Sequence, residues 1–107
     1  MSKSDILTRL YQTIEARKDA DPSTSYTAKL LEKGVGKCAQ KMGEEAVETA
    51  IAAVSEGKKE VIAESADLLY HLMVLWAATD VTPDEVFEAL KKREGQSGIA
   101  EKAARKK

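Results

Sequence analysis

Two short acidic motifs carry the residues in this chain that are best suited to chemistry. Glu44, Glu45 and Glu48 form the first motif, and Glu64 and Asp67 form the second. Spacings of three and four residues place the carboxylates of each motif on one side of a helix. Two such helices packed antiparallel would bring four or five carboxylates together, and these repel one another unless a cation neutralises them. Because an all-oxygen cluster favours Mg²⁺ or Mn²⁺, the motifs predict a metal-dependent enzyme acting on a phosphorylated substrate.

Each motif also has a purely structural interpretation. Helices rich in Glu, Lys and Ala produce the first motif by chance on a solvated face, where Lys41 could form an ordinary ion pair with Glu45. Glu64 and Asp67 lie on a helix whose remaining surface is mostly apolar, so a structural role would require a cationic partner such as Lys37 or Lys41. The occurrence of both motifs in one chain favours the metal site.

The elements that must position these motifs are predicted to be helices throughout. Ser4 is a candidate N-cap for the first helix, and Thr82, Pro83 and Glu85 together form the start signal of the last. Apolar periodicity predicts the remaining helices over about 27–31, 37–55 and 59–78. Gly34 is expected to end the first of these and Gly57 the second. Since no strand-like alternation of useful length occurs, the fold class is all-α, a bundle of four to five helices. We expect a single domain over residues 1–107, with a basic tail from about residue 99 that frays.

A helical wheel predicts how the two long helices are buried. On the helix over 37–55, Glu44 and Glu48 align beside an apolar stripe and are expected to border the core. Six small or apolar residues form that stripe: Ala39, Gly43, Val47, Ala50, Ile51 and Val54. The helix over 59–78 is apolar on nearly all sides beyond Asp67, so it should be buried on all sides. A chain of 107 residues can hardly surround one helix, so we expect a homodimer or a larger assembly.

Composition limits the partners and the compartment. With 17 basic and 18 acidic residues, the net charge gives no reason to expect binding to nucleic acid or to a membrane. The longest stretch without a charged side chain, Leu68–Thr79, is too short to span a bilayer, and no signal peptide is recognisable at the N-terminus. The single cysteine, Cys38, is expected to be a small core residue, which fits a reducing cytoplasm.

The only histidine, His71, follows Asp67 by one helical turn. It could be a metal ligand, a group that supports a ligand, or a core imidazole bonded to Asp67. A lone histidine on a largely apolar helix favours the last two roles. A di-iron carboxylate bundle is disfavoured, because that architecture uses Glu-x-x-His spacing on two helices.

Several ordered segments resemble a known family. The two acidic motifs are similar to those of the all-α, MazG-like nucleoside triphosphate pyrophosphohydrolases. The surrounding segments are similar to one branch of that group, the phosphoribosyl-ATP pyrophosphohydrolase family, over roughly residues 5–98. These segments are Ser25-Tyr26-Thr27-Ala28-Lys29-Leu30-Leu31, Gln40-Lys41-Met42-Gly43-Glu44-Glu45, Glu64-Ser65-Ala66-Asp67-Leu68-Leu69-Tyr70-His71, Leu90-Lys91-Lys92-Arg93 and Ser97-Gly98. Met42 departs slightly from the family pattern, which has a small apolar residue there.

The resemblance implies an activity and a cofactor. The substrate would be 1-(5-phosphoribosyl)-ATP, cleaved with Mg²⁺ between the α- and β-phosphates in the second step of histidine biosynthesis. Family members assemble as intertwined helical dimers, and in some organisms they are fused to the next enzyme, phosphoribosyl-AMP cyclohydrolase. Two alternatives stay open: a house-cleaning hydrolase for dCTP, dUTP or aberrant nucleotides, and a helical dimerisation module without enzymatic activity.

The resemblance also implies roles for individual residues. The metal ligands would be Glu45, Glu48, Glu64 and Asp67. Glu44 would be the general base or an outer-shell group, so that Glu44 and Glu48 are the catalytic candidates. This disagrees with the helical wheel, which aligns Glu44 rather than Glu45 with Glu48. The substrate-binding candidates are Lys37 and Lys41 for the phosphates, and Tyr26, Thr27, Lys29 and Arg93 for other parts of the substrate.

Overall fold

The computed structural model describes residues 5–95, which contain five α-helices and no strand. The all-α prediction is therefore confirmed for this part of the chain. Ser4, Gly98 and the basic tail lie outside the described residues. The helices are α1 (Asp5–Ala16), α2 (Tyr26–Lys33), α3 (Val35–Ser55), α4 (Lys58–Ala78) and α5 (Pro83–Lys91).

The segment between α1 and α2 contains regular structure. It begins with a single turn of 3₁₀-helix, Arg17–Asp19. Ser25 then caps α2, because its Oγ accepts a hydrogen bond of 3.1 Å from the backbone N–H of Ala28. Gly34 separates α2 from α3 with φ +96°, a backbone conformation that residues with a Cβ rarely adopt. Helix α3 consequently begins at Val35, two residues before the predicted start.

Helices α3 and α4 form an antiparallel hairpin that dominates the packing. Each has 21 residues, and only Glu56 and Gly57 connect them. Gly57 follows the end of α3 as predicted, but its backbone is extended, with φ −154°, and it is the N-cap of α4. The short connection keeps the two acidic motifs at matching heights along the hairpin.

The core lies where α1, α2 and the C-terminal half of α4 meet. Cys38 is 1% exposed, as predicted for a core residue, and its Sγ donates to the carbonyl of Leu30 at 3.4 Å. The Tyr11 hydroxyl donates to the carbonyl of Val81 at 2.9 Å, which fixes the α4–α5 connection against α1. Burial and a hydrogen bond with Glu15 raise the pKa of Tyr11 to about 12. The buried core residues are Tyr11, Ile14, Leu30, Cys38, Met73, Val74 and Ala77.

The prediction that the α3 apolar stripe faces the core is wrong for the single chain. Val47 is 60% exposed, Ile51 48% and Val54 86%, and Glu44 and Glu48 are exposed as well. The α3 stripe is exposed because α3 packs against α4 and α2 through its other face, which carries the buried residues Cys38 and Ala52. Within the single chain, helix α4 beyond Asp67 is not buried on all sides, since Leu69 is 43% exposed. This agrees with the expectation that one chain of this length cannot surround the helix. A wheel identifies an apolar face but not the element that covers it.

Helix α4 has the length and apolar composition of a membrane-spanning helix. The central helix of a water-soluble bundle meets the same criterion. Its N-terminal half carries Glu60, Glu64 and Asp67, and its C-terminal half packs against α1 in the core. This distribution favours a core helix.

The start of α5 offers a test of local stability. The Thr82 Oγ1 accepts from the backbone N–H of Glu85 at 3.2 Å, and Glu85 Oε1 accepts from the backbone N–H of Thr82 at 2.9 Å. Thr82→Ala removes one half of this predicted and observed capping box, so we expect a loss of about 1 kcal/mol of unfolding free energy in urea denaturation. Thr82→Ser keeps the acceptor and should lose less than half as much. Equal losses in the two variants would contradict the capping role.

Candidate active site

The hairpin aligns the two acidic motifs through a hydroxyl that the sequence did not reveal. Thr49 Oγ1 lies 2.8 Å from the carbonyl oxygen of Glu45 on its own helix and 3.2 Å from that of Glu64 on α4. This one hydroxyl joins the backbones of both motifs. Thr49 follows Glu45 by one turn, a spacing at which threonine commonly bonds its own helix, and only the pairing of α3 with α4 adds the second contact.

Three of the four predicted metal ligands come together in the single chain. Carboxylate oxygens of Glu45, Glu48 and Glu64 lie within 4.8 Å of one another. Within residues 5–95, the Glu45 Oε2 is buried and has no hydrogen-bond partner. A buried carboxylate oxygen without a partner is costly, and a bound cation would satisfy it. We refer to these three residues, together with Asp67, as the acidic cluster.

Burial and mutual repulsion both raise pKa values in the acidic cluster. Burial, followed by a hydrogen bond and the charge of Glu48, raises the pKa of Glu45, and the charge of Asp67 adds to the shift. Burial also raises the pKa of Glu64, with the charges of Glu48 and Asp67 as the next causes. Asp67 is exposed and lies outside the group of three, but it acts electrostatically on both glutamates. A divalent cation would reverse these shifts by favouring the ionised carboxylates.

Glu44 points to different partners from those of the acidic cluster. Its carboxylate accepts from Gln40 Nε2 at 2.9 Å and from Lys41 Nζ at 3.2 Å. These two hydrogen bonds, with smaller effects from the charges of Lys41 and Lys37, hold its pKa below the usual range. The helical wheel aligned Glu44 with Glu48, whereas the structure groups Glu45 with Glu48. Lys41 pairs with Glu44, three residues on, rather than forming the i, i+4 pair with Glu45.

The first turn of α2 lies against α4, one turn beyond Asp67. The Tyr26 hydroxyl lies 3.3 Å from His71 Nε2, and Thr27 Oγ1 is hydrogen-bonded to the hydroxyl of Tyr70. His71 Nδ1 lies 2.9 Å from the backbone carbonyl oxygen of Asp67. Of the predicted roles for His71, the structure shows the buried imidazole that is hydrogen-bonded to Asp67. The hydrogen bond goes to the backbone carbonyl of Asp67 and not to its carboxylate.

The remaining substrate-binding candidates lie on three different parts of the fold. Lys37 is half-buried at the start of α3, one turn before Lys41. Lys29 is exposed on α2, one turn after Ser25, whose carbonyl accepts from its backbone N–H. Arg93 is exposed in the turn after α5, a helix that packs against α1.

Comparison with known proteins shows the family. A model of the phosphoribosyl-ATP pyrophosphohydrolase family matches residues 7–94. A phosphoribosyl-ATP pyrophosphatase from Azospirillum brasilense is 63% identical over 101 residues, which cover 94% of this chain and 91% of the relative. Proteins of the same name from Granulibacter bethesdensis and Gluconobacter oxydans are 59% and 56% identical to this chain. Both alignments cover 95% of this chain, and they cover 64% and 77% of the two relatives, respectively. The chain therefore belongs to the phosphoribosyl-ATP pyrophosphohydrolase family, which makes it a hydrolase of histidine biosynthesis.

Proposed function

We propose that this chain hydrolyses 1-(5-phosphoribosyl)-ATP between its α- and β-phosphates, giving 1-(5-phosphoribosyl)-AMP and pyrophosphate. The observation that carries the proposal is the approach of Glu45, Glu48 and Glu64 to within 4.8 Å, in a chain that belongs to this family. Such a group of carboxylates suits a hard divalent cation, the usual companion of a triphosphate. The relatives named above carry the substrate in their names.

We assign Mg²⁺, with Mn²⁺ as an alternative, to Glu45, Glu48, Glu64 and Asp67. The buried Glu45 oxygen that lacks a partner among residues 5–95 supports this assignment, because it needs a positive charge or a donor. The raised pKa values of Glu45 and Glu64 support it further. When bound, the cation would neutralise charge on the triphosphate and on the departing pyrophosphate.

Residues beside the acidic cluster would complete the reaction. Glu44 stays ionised because Gln40 and Lys41 hydrogen-bond to it, and it would orient the water that attacks the phosphorus. Lys41 and Lys37 would supply fixed positive charge to the phosphate oxygens. Glu48 is the second catalytic candidate, in addition to its role as a ligand. Further contacts to the substrate are assigned to Tyr26, Thr27, Lys29 and Arg93.

A homodimer completes the proposal. The exposed apolar side chains of the hairpin recur at helical spacing, so on each helix they share one face. We refer to these residues as the hairpin apolar surface: Val47, Ile51 and Val54 on α3, and Ile62 and Leu69 on α4. A second copy of the chain would cover it, as the family resemblance implies. We assign the enzyme to the cytoplasm and expect no nucleic-acid or membrane partner. The protein that it would contact is phosphoribosyl-AMP cyclohydrolase.

Pyrophosphate release tests this function directly. The purified protein is mixed with phosphoribosyl-ATP, dCTP or dUTP, each with Mg²⁺ and with EDTA in its place. We expect Mg²⁺-dependent release from phosphoribosyl-ATP, with rates on the two deoxynucleotides at least about a hundredfold lower, because the phosphoribosyl group adds contacts that they cannot make.

Two outcomes would contradict the proposal in different ways. Comparable release from dCTP or dUTP would indicate a house-cleaning hydrolase that uses the same acidic cluster. Equal release with Mg²⁺ and with EDTA would refute the assignment of the metal while leaving the substrate intact.

A further inference from the structure

His71 is a buried polar side chain for which the proposed function has no role. It is 7% exposed, and both ring nitrogens face specific partners. Nδ1 lies 2.9 Å from the carbonyl oxygen of Asp67, which can only accept, so Nδ1 carries the hydrogen. In the neutral ring Nε2 is then an acceptor, and the Tyr26 hydroxyl donates its hydrogen to it across 3.3 Å.

This arrangement fixes an exposed aromatic ring. Tyr26 is 53% exposed at the first position of α2, where its side chain would otherwise sample several rotamers. Its ring meets the His71 imidazole edge-on, with centroids 6.0 Å apart, and Tyr70 also packs edge-on against that imidazole, with centroids 4.9 Å apart. Tyr70 thus fixes the His71 ring, and the hydrogen bond and ring contact with His71 hold Tyr26 in one orientation.

Tyr26 lies beside the turn of α4 that follows the acidic cluster. His71, to which it is bonded, follows Asp67 by one turn, and its Nδ1 lies 2.9 Å from the backbone carbonyl oxygen of that residue. A nucleotide whose phosphates are held at the cluster, and whose nucleoside extends toward the start of α2, would therefore meet the Tyr26 ring.

We infer that His71 is a positioning residue that holds the Tyr26 ring against the nucleoside part of the bound nucleotide. The hydroxyl of Tyr26 has a single hydrogen and donates it to His71, so it cannot also donate to a phosphate oxygen. What Tyr26 offers to a ligand is the face of its ring, which suits a base or a sugar. This inference rests on the proposed function, because it names the part of the substrate that this residue contacts.

A second α2–α4 hydrogen bond provides a matched control. Thr27 and Tyr70 are each the sequence neighbour of one member of the Tyr26–His71 pair, and they also join α2 to α4 through side-chain oxygens. Tyr70→Phe removes that bond but leaves the Tyr26 tether intact. It therefore reports the effect of loosening α2 without releasing the Tyr26 ring.

The first experiment uses the protein alone and NMR of the imidazole nitrogens. His71 is the only histidine, so its ring gives one pair of nitrogen resonances. At about pH 8.5, well above the ordinary pKa of an imidazole, we expect the pattern of a hydrogen on Nδ1. Tyr26→Phe should shift the Nε2 resonance and leave the tautomer unchanged, because the Asp67 carbonyl still binds Nδ1. A hydrogen on Nε2, or an Nε2 resonance that Tyr26→Phe does not shift, would overturn the inference.

The second experiment separates binding from turnover with phosphoribosyl-ATP. His71→Asn can still donate to the Asp67 carbonyl but is too short to reach Tyr26, whereas His71→Gln extends an amide toward the hydroxyl. We expect Tyr26→Phe and His71→Asn each to raise KM about three- to tenfold, the range open to one neutral hydrogen bond, with kcat changed less than about twofold. His71→Gln should recover part of the loss.

A double-mutant comparison decides whether the two residues act together. His71→Asn should have little further effect on KM in the Tyr26→Phe background, whereas Tyr70→Phe should act additively with Tyr26→Phe. Additive effects of His71→Asn and Tyr26→Phe, or a loss in kcat alone, would contradict the inference. If His71→Asn does not fold, the NMR result on wild type and Tyr26→Phe still decides it. Absence of activity in the wild-type protein would refute the proposed function and leave the NMR test unaffected.

Discussion

Replacing Glu48 by glutamine is expected to reduce pyrophosphate release at least about a hundredfold and to stabilise the metal-free protein. Activity falls because Glu48 belongs to the group of carboxylates, with Glu45 and Glu64, that would hold the cation. Stability rises because the same change removes one negative charge from a cluster that repels itself. A residue retained for function against the stability of the fold is expected to show both effects at once.

The pH dependence gives the sign of the stability change. Burial and the neighbouring Glu48 raise the pKa values of Glu45 and Glu64 above their usual range in the folded chain. The folded state therefore binds these protons more tightly than the unfolded state does. Between the ordinary and the raised pKa values, the metal-free protein loses stability as pH rises. Glu48→Gln removes one cause of both shifts, so its loss of stability over this interval should be smaller than that of wild type.

Thermal unfolding with and without Mg²⁺ measures these effects. The wild-type Tm should rise with Mg²⁺, because a ligand that binds only the folded state stabilises it, and the Tm of the variant should rise much less. Glu88→Gln on α5 is the control, since it makes the same chemical change at an exposed position outside the acidic cluster. A Glu48→Gln variant that keeps wild-type turnover, or that is less stable than wild type without metal at neutral pH, would exclude Glu48 from the proposed site.

The sequence predicted those features that depend on neighbours within one helix. The capping box of Thr82 and Glu85 and the end of α2 at Gly34 are both local. The partners of these elements are not local. Tyr26 and His71 lie 45 residues apart, and Thr49 contacts Glu64 across the hairpin, so no periodicity indicates either contact. These contacts exist only because α2 and α3 each pack against α4 at one particular height.

Local sequence also failed to predict, within a single helix, whether Glu44 or Glu45 lies beside Glu48. An ideal wheel places Glu44 in line with Glu48, yet the Gln40 and Lys41 side chains draw the Glu44 carboxylate away. Glu45 instead turns toward α4 and joins Glu48 and Glu64. Side chains of three or four rotatable bonds can reach across the angle that separates neighbouring rows of a helix, so their partners decide the grouping.

Replacing Ile51 or Val54 by glutamate is expected to convert the protein from a dimer to a monomer. In the single chain Val54 is 86% exposed, so its replacement alone should cost the isolated fold little. In a dimer the same carboxylate would be buried against apolar side chains of the partner, which costs several kcal/mol when no cation accompanies it. If the hairpin apolar surface is a dimer interface, Val54→Glu should strongly weaken dimerisation, although it should hardly change the stability of the isolated chain.

Sedimentation equilibrium over a range of protein concentrations distinguishes the two cases. Wild type should have the mass of two chains, and Val54→Glu should have the mass of one at the same concentration. Ile6→Glu on α1 is the control: Ile6 is 50% exposed but lies outside the hairpin apolar surface, and this variant should remain dimeric. A dimeric Val54→Glu variant with wild-type stability would show that no partner chain covers this surface. In that case the apolar side chains of α3 and α4 would face water in the functional protein, at a hydrophobic cost that the fold does not otherwise offset.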